Sequence, residues 1–521
     1  MKAVTGAQMG RMDSYSINKM GIPSIVLMEN AALKIVKHVN DYFRRNPHIP
    51  KEILVIAGKG NNAGDAYAAA RHLLIEKYGV KIYSLFEKGV FTGDAKVNLD
   101  ILEAMGLDVK YLTGDGRFAQ LEEDLKHTGM VVDGIFGTGF RGEIQGHIAG
   151  VVERINKNSP YTISIDIASG IEAETGRRAA SCIKAHQTVT FELPKIGQLT
   201  YPGAQYTGQL DIESIGMPVQ AIESVEVQTF MTGPDLVRTI IPGRKSDFNK
   251  GNCGKAVIVT GSRGMAGSGC LSSKACLKTG SGLVYVAAPL SMLDIYQSVV
   301  PEAVAVGLEE QDGILSEKSA EKITGIIKKC DVAAIGPGLS SDKCIYYIIG
   351  SIADRICVPV VLDADALNAV AGDTGIFKRF KNKVVITPHP GEMARLTGLE
   401  TGYVQENRLE VAKKYAGLWG VTVVLKGAGT IIADPEGNAY INPTGNAGMA
   451  TAGSGDALTG IIASLIGQGA GAADAAVAGV YLHGLAGDLA ADQKGQHGLT
   501  AMDIVEHIPY AIKEVLEQKN N

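Results

Sequence analysis

The sequence predicts an α/β chain of two doubly wound domains, and three observations carry that prediction. Short all-apolar runs repeatedly end in glycine and a polar residue, as where 53–57 runs into Gly58-Lys-Gly-Asn-Asn-Ala-Gly-Asp65. Such runs are strands buried on both faces, as parallel sheets require. Helical patterns follow these turns, giving the strand–turn–helix rhythm of a parallel sheet. That rhythm fails over about residues 214–250 and then restarts, placing a boundary near residue 220 and two domains at 1–220 and 221–521. A chain of 521 residues is in any case too long for one ordinary core.

The bulk composition narrows the function classes. Hydrophobic content of 45% with 20% charged residues belongs to a soluble globular protein, and a formal charge of −5 argues against a nucleic-acid surface. The 64 glycines against 18 prolines suit many strand-to-helix turns and close backbone approaches to ligands. The seven cysteines (182, 253, 270, 276, 330, 344, 357) form no C-x-x-C pair. They read as reduced thiols of a cytoplasmic protein, neither a disulfide framework nor a zinc site. The N-terminus has no continuous apolar stretch of the signal-peptide kind. The most apolar long segment, 475–491, carries His483 and Asp488, so it reads as a buried helix and no membrane partner is expected. The small residues of 467–491 suit tight packing either in a core or between subunits, and a homo-oligomer is the expected assembly.

In the first half, helices are expected over 8–20 and 24–45, the second ending in Arg44-Arg45, which suit a helix C-terminus. The strand at 53–57 feeds the Gly58–Asp65 turn, with a helix expected over 66–77. This is not a G-x-G-x-x-G dinucleotide fingerprint, because Asn61-Asn62 occupy its middle. Paired asparagines with Asp65 offer oxygens suited to a hard cation or to ribose hydroxyls. Plain turn chemistry with Asp65 as a cap is the alternative. Two further apolar runs end the same way: 130–133 in Asp133 followed by Gly134-Ile-Phe-Gly-Thr-Gly139, and 162–166 in Asp166 followed by Ile-Ala-Ser169-Gly170. In a doubly wound sheet ligands collect beyond the carboxyl ends of the strands, so these three polar ends point at one crevice.

Gly58-x-Gly-Asn-Asn-x-Gly-Asp65, Asp133-x-x-Phe-Gly-Thr-Gly139, Asp166-x-x-Ser-Gly170 and Leu193-Pro-Lys-x-Gly197 resemble, in order and spacing, the NAD(P)HX epimerase family, over about residues 8–215. Those enzymes interconvert the R and S hydrates of NADH and NADPH. The resemblance implies a Rossmann-like three-layer sandwich and a potassium ion held at Asn62, Asp133 and Ser169. It implies hydrate contacts at Asn61, Asn62, Ala63, Gly64 and Asp65, and at Gly137, Thr138, Gly139, Phe140, Arg141, Gly142 and Glu143. Asp166 is the candidate acid/base. The chain departs from the family at Ala168, where proline is usual, and at Ala63 and Ala66, where glycines are common.

After a lead-in strand and helix, the second half restarts with 256–260 and Gly261-Ser-Arg-Gly-Met-Ala-Gly-Ser-Gly269, then a helix expected over 270–280. Later strands end in Gly336-Pro-Gly338, in Asp363-Ala-Asp365, in Pro388-His389-Pro390-Gly-Glu392 and in Lys426-Gly-Ala-Gly429. The segments 430–433 and 438–441 read as a hairpin about Asp434-Pro-Glu-Gly437. Asp363 and Asp365 read as acid/base groups or as caps of the helix containing Asn368, with capping the expectation. His389, between two prolines at a strand end, reads as a substrate contact or as a structural histidine. His483 is expected in the core or behind the site.

The most informative stretch is Asn446-Ala-Gly-Met-Ala-Thr-Ala-Gly-Ser-Gly-Asp456, which leads into an apolar helical pattern over 457–465. It fits a phosphate cradle of backbone amides at a helix N-terminus, with Asp456 placed to deprotonate a hydroxyl. It also fits a flexible turn ending in an ordinary capping Asp.

Gly261-Ser-x-x-Met-x-Gly267, Gly336-Pro-Gly-Leu339, Asp363-Ala-Asp-Ala-Leu-Asn368, Thr387-Pro-His-Pro-Gly-Glu392, Lys426-Gly427 and Gly448-Met-Ala-Thr-x-Gly-Ser-Gly-Asp456 look like the NAD(P)HX dehydratase family, over about 225–515. That resemblance implies a ribokinase-like three-layer sandwich, ADP as phosphoryl donor and assistance from Mg2+. By it, Asp456 is the general base, and nucleotide contacts fall on Lys426, Gly427, Ala428, Gly429 and Thr430 and on Gly453, Ser454 and Gly455. Gly267, Gly338 and His389 would touch the hydrate, so the small-molecule partners are NADHX, NADPHX and ADP. Two other readings stand beside this: a kinase of a small heterocyclic alcohol, and a catalytically idle binding module.

Overall fold

The computed structural model describes residues 1–114, 118–158 and 160–517; residues 518–521 of the second predicted domain lie outside them. The chain forms two compact units, Met1–Thr229 and Phe230–Asn521.

The first unit holds one seven-stranded parallel sheet, β1 (Glu52–Ala57), β2 (Gly79–Ser84), β3 (Val109–Tyr111), β4 (Met130–Gly134), β5 (Tyr161–Ile165), β6 (Gln187–Phe191) and β7 (Gln209–Glu213). Their order is β3-β2-β1-β4-β5-β6-β7, so the winding reverses between β1 and β4. Alternation within β1 explains the two-sided core. Ile53 and Val55 pack against the helices Ser24–Arg45 and Asn61–Ile75, while Leu54 and Ile56 join the core formed with Gly146–Asn158. A reversal point opens a crevice beyond the strand ends, and there β1 and β4 deliver Gly58 and Asp133. The helix after β1 begins at Asn61, not at residue 66 as its apolar period suggested. The first helix of the chain is Gly6–Asn18, capped by Thr5 and Gln8 in a capping box.

The second unit begins within β8 (Thr229–Met231) and continues with β9 (Lys255–Val259), β10 (Leu283–Pro289) and β11 (Val304–Leu308), then the small pair β12 (Glu310–Gln311) and β13 (Ile314–Leu315). It is completed by β14 (Val332–Ile335), β15 (Val360–Leu362), β16 (Val384–Ile386), β17 (Thr422–Leu425), β18 (Ile431–Ala433) and β19 (Ala439–Ile441). The main sheet runs β11-β10-β9-β14-β15-β16-β17-β18-β19-β8. It is parallel from β11 to β17, and the predicted hairpin forms the antiparallel pair β18–β19. Its main core is covered by the helices Ala266–Thr279, Ser454–Gly467, Ala472–Lys494 and Ala501–Glu517.

Small residues let these helices meet backbone to backbone. A Cβ on Gly460 would lie 2.1 Å from the Ser272 carbonyl oxygen, and one on Gly479 would lie 2.8 Å from Ile462. Ala475, Ala476, Ala478 and Ala486 are buried, so that stretch belongs to the core. Among the described residues no helix is long and apolar enough to cross a membrane, and all seven cysteines are free thiols.

Two candidate active sites

The crevice of the first unit is built from strand ends and one helix start. Asn62, in the first turn of the Asn61–Ile75 helix, donates its amide to the Phe136 carbonyl (3.0 Å). The buried Asp133 carboxylate accepts bonds from the Ser169 hydroxyl (2.6 Å) and amide (3.0 Å), the Ser164 hydroxyl (2.8 Å) and the Ile135 amide (3.2 Å). Burial holds the Asp133 carboxyl above its usual range, and these neutral donors only partly offset it. Asn62, Asp133 and Ser169, predicted to share a potassium ion, thus lie together with the Phe136 carbonyl. An all-oxygen donor set around a buried carboxylate is chemistry a hard monovalent cation fits.

The remaining predicted hydrate contacts divide. Asn61 is exposed and Asp65 half-buried, but Ala63 and Gly64 face the core, so only their backbone is available to a ligand. The 137–143 turn is largely open and is tied down by acids. Glu172 accepts from the Gly142 amide (3.3 Å), Glu143 accepts from the Ala180 amide (2.7 Å), and Arg141 pairs with Glu174.

Asp166 stands at the end of β5 with φ of 61°, a left-handed conformation unusual for a non-glycine residue at a strand end. Its Oδ1 receives the ammonium of Lys195, the Thr190 hydroxyl (2.9 Å) and the Phe191 amide (3.4 Å). Lys195 is fully buried and also reaches the Thr190 hydroxyl (2.8 Å). Asp13 and Asp65 lie within electrostatic reach of Asp166. Burial, then the Asp166 charge, pushes the Asp13 carboxyl up to about 6 and Asp65 well above the usual range. Sequence reasoning missed Lys195 as a functional group, although it lies inside the Leu193-Pro-Lys-x-Gly motif. It missed Asp13 because a charge on an amphipathic helix signals only a solvated face.

The site of the second unit gathers at the start of the Ser454–Gly467 helix. Gly453 is its N-cap, at φ of +86°, and no side chain caps it. Asp456 is therefore the third residue of the helix and not its cap, and the helix starts three residues before the predicted 457. The Gly455 amide remains open at the positive end of the helix, while the Ser454 amide makes a long bond to the Thr451 carbonyl (3.4 Å). Burial, then the nearby Asp363 charge, pushes the Asp456 carboxyl up to about 6, against the Ser268 hydroxyl and Lys426.

Lys426, at the end of β17, donates to Asp363 (2.7 Å), lies 3.7 Å from Glu392, and would be 3.3 Å from a Cβ on Gly455. Burial opposes its charge, yet Asp363 and Glu392 hold the ammonium above its ordinary value. Asp363 also accepts the Thr459 hydroxyl (2.7 Å), which ties the strand end to the helix. This corrects the expected capping role: the helix Asp365–Val370 has Ala364 as N-cap with no side-chain cap, and Asp365 accepts from the Ser340 amide (3.0 Å).

His389 does cap a helix. Its Nδ1 accepts from the Gly391 (3.0 Å) and Glu392 (3.4 Å) amides, with half of the side chain exposed. The helix expected over 270–280 is Ala266–Thr279, so Gly267 lies in its first turn, with open space where a Cβ would point. Gly338, at φ of +64°, backs onto the neighbouring Met265 carbonyl, which a Cβ would meet at 2.7 Å.

The 426–430 segment is braced by the buried Arg408, which donates to the Leu425 carbonyl (3.0 Å) and to the Ala428 carbonyl. The Thr430 hydroxyl closes the turn on the Gly427 carbonyl (2.9 Å). His483 contacts the Ser454 hydroxyl (3.2 Å), and burial pushes its imidazole down to about 4, so it is neutral there. Asp488 anchors the start of the glycine stretch through the Gly445 amide (2.8 Å) and the Asn446 side chain (2.9 Å). Arg408 and Asp488 gave no sequence signal, because they act from helices distant in the chain.

Comparison with known proteins matches each unit separately. A family model described as YjeF-related protein N-terminus covers residues 24–197, and one described as NAD(P)H-hydrate dehydratase covers 256–510. The bifunctional NAD(P)H-hydrate repair enzyme Nnr of Moorella thermoacetica is 43% identical over 99% of this chain and 98% of its own. That of Thermofilum pendens is 37% identical over 99% and 97%. The second unit resembles the crystal structure of ADP/ATP-dependent NAD(P)H-hydrate dehydratase from Bacillus subtilis, co-crystallised with ATP/Mg2+. That structure is 30% identical with a TM-score of 0.50, covering 55% of this chain and 98% of that one.

Proposed function

Since the chain belongs to the bifunctional NAD(P)H-hydrate repair enzymes, we propose the following division of labour. The first unit epimerises R- and S-NAD(P)HX. The second dehydrates S-NAD(P)HX at the expense of ADP, yielding NAD(P)H, AMP and phosphate. The observation that carries this reading is Asp456 in the first turn of a helix whose glycine N-cap supplies no capping side chain, with Lys426 alongside. Such an arrangement supports phosphoryl transfer with Asp456 as the base.

The chemistry follows from the substrate. Hydrated NAD(P)H carries a hydroxyl on C6, and hydroxide is a poor leaving group. Asp456 takes the hydroxyl proton, and the oxygen attacks the β-phosphorus of ADP, releasing AMP. The amides of Gly453, Ser454 and Gly455 and the Lys426 ammonium stabilise the charge of the transferring group. The C6–O bond then breaks, phosphate departs with the bonding pair, and loss of a C5 proton restores the ring double bond.

Among the described residues no three His, Cys, Asp or Glu side chains are arranged to hold a metal by themselves. Mg2+ binds through one or two carboxylates plus substrate phosphates; Glu392, 3.7 Å from Lys426, would be the carboxylate offered to it, which leaves Asp456 as the base. When bound, Mg2+ neutralises phosphate charge. In the first unit, Asn62, Asp133 and Ser169 would hold K+, which supplies the counter-charge for the buried carboxylate. Gly267, Gly338 and His389 would line the hydrate side of the second site, and Lys426–Thr430 the adenine nucleotide side. The assembly proposed is a homo-oligomer in the cytoplasm.

Incubation of the chain with mixed hydrates and ADP or ATP tests the reading. Absorbance at 340 nm should recover, with AMP and free phosphate formed from ADP. A stable phosphorylated organic product without that recovery would establish a kinase instead.

A further inference from the structure

The acidic cluster at the floor of the first crevice is larger than one acid/base residue requires. Three carboxyl groups, Asp13, Asp65 and Asp166, share it with a single buried ammonium, Lys195. Their surroundings differ sharply. Asp166 is tied through Oδ1 to Lys195, Thr190 and the Phe191 amide, and among the described residues its Oδ2 has no protein partner. Asp65 has no side-chain hydrogen bond or ion pair at all among the described residues, although it sits within the first two turns of a helix packed into the core. A half-buried carboxyl left unbonded beside an ion-paired carboxylate is costly unless a ligand or a proton satisfies it. Two like groups in unlike surroundings divide into one that holds a proton and one that accepts it.

We propose that Asp65 is the general acid that works opposite the base Asp166 in epimerisation, with Lys195 the positioning residue that fixes the base. The inference rests on the epimerase reading of this unit. Carbon C6 of the hydrate bears a hydroxyl and the ring nitrogen N1, so the ring can open there without redox change. Asp166 Oδ2 takes the hydroxyl proton, and the O–H bonding pair becomes the second C–O bond of an aldehyde. The C6–N1 bond breaks with its pair going to N1, which takes the proton of Asp65. Rotation about C5–C6 presents the other face of the aldehyde. Closure returns one proton to Asp65 and the other to oxygen, giving the opposite epimer with both carboxyls as they began.

Burial, then the charges of Asp166, Asp13 and Asp94, raises the Asp65 carboxyl well above its usual range, which is the direction a proton donor near neutral pH needs. The groups facing it come from several elements. Asp13 lies on the helix Gly6–Asn18, Asp94 on Gly93–Ala104, and Asp166 at the end of β5; Lys195 acts on the same cluster through Asp13.

The test is the conversion of R-NADHX by the full chain, read as NADH formed with ADP present and an excess of the Asp166→Asn chain added to consume S-hydrate. Asp65→Asn should lower kcat by about a hundredfold or more, within the range general acid catalysis supplies, with KM held within about threefold. It should also lose the alkaline limb of the wild-type pH–rate profile, and Asp65→Glu should restore part of both. Lys195→Met should lower kcat while sparing KM, whereas a merely structural lysine would move both together with the melting temperature.

In water enriched in oxygen-18 the first epimer formed should keep its original oxygen; solvent oxygen there would overturn ring opening. Asp65→Asn with wild-type kcat and an unchanged profile would overturn the acid assignment. A wild-type chain that converts R-hydrate no faster than buffer would sink the epimerase reading itself.

Discussion

Asp456 illustrates how one side chain is tuned by its neighbours. Its carboxyl is pushed up to about 6, so it is half ionised near that pH and mostly ionised at neutrality. A general base acts only when ionised, so kcat/KM for S-hydrate should rise with pH, with a midpoint near 6, and level off above 7. Asp363 is one cause of the upward shift. Asp363→Asn removes that charge and also frees Lys426 from its 2.7 Å partner to attract Asp456. Both effects favour the ionised form, so the midpoint should fall below that of the wild-type chain. The same variant breaks a buried ion pair, which costs about 3 kcal/mol, read as a lower urea midpoint at constant m. A pH profile that stays in place would show that Asp363 does not reach Asp456 electrostatically. In the other unit, replacing K+ with tetramethylammonium should slow R-hydrate conversion and leave S-hydrate dehydration unchanged. Equal rates in both salts would remove the ion from the Asn62, Asp133 and Ser169 oxygens.

At the scale of elements, both sites use a helix whose N-cap is glycine, Gly60 in one unit and Gly453 in the other, with no capping side chain. An ordinary cap would occupy the amides that a bound anion needs. Gly453 adopts φ of +86°, and a Cβ there would also lie 2.3 Å from the Leu271 side chain. Gly453→Ala should therefore cost about 1–2 kcal/mol in backbone strain. It should raise KM for ADP severalfold as the amides shift, without changing the R to S step. An unaltered KM would mean that the nucleotide phosphates bind elsewhere.

The same glycine caps explain what could and could not be read from the chain. Strand ends were legible, because an all-apolar run followed by glycine and a polar residue has few other meanings. Helix starts at Asn61 and Ser454 were read several residues late, because apolar periodicity begins only after a small, polar first turn. The capping rule kept a cap open as one reading of Asp456, and no local pattern placed it inside the helix. Pairings such as Lys426 with Asp363, or Asp166 with Lys195, join residues 63 and 29 positions apart. No local pattern carries them, although every member but Lys195 had been singled out alone.

At the scale of the whole molecule, each unit has its own sheet, its own core and a complete set of polar groups at its own strand ends. Nothing in either proposed reaction requires a residue from the other unit, and the species they share is a soluble dinucleotide hydrate. The two activities should then be separable by single substitutions and recoverable by mixing. A chain carrying Asp166→Asn should use S-hydrate at the wild-type rate and R-hydrate only as fast as it epimerises in buffer. A chain carrying Asp456→Asn should epimerise normally and form no NADH. Mixed in equal amounts, the two variants should convert R-hydrate to NADH at a rate that rises with the concentration of both, as expected when the S epimer is released and captured. With a large excess of the Asp456→Asn chain, the rate should approach that of the Asp166→Asn chain on S-hydrate alone. Were the mixture as slow as the Asp166→Asn chain by itself, the S epimer would have to pass between sites of one chain without release, and the two activities would share more than a polypeptide.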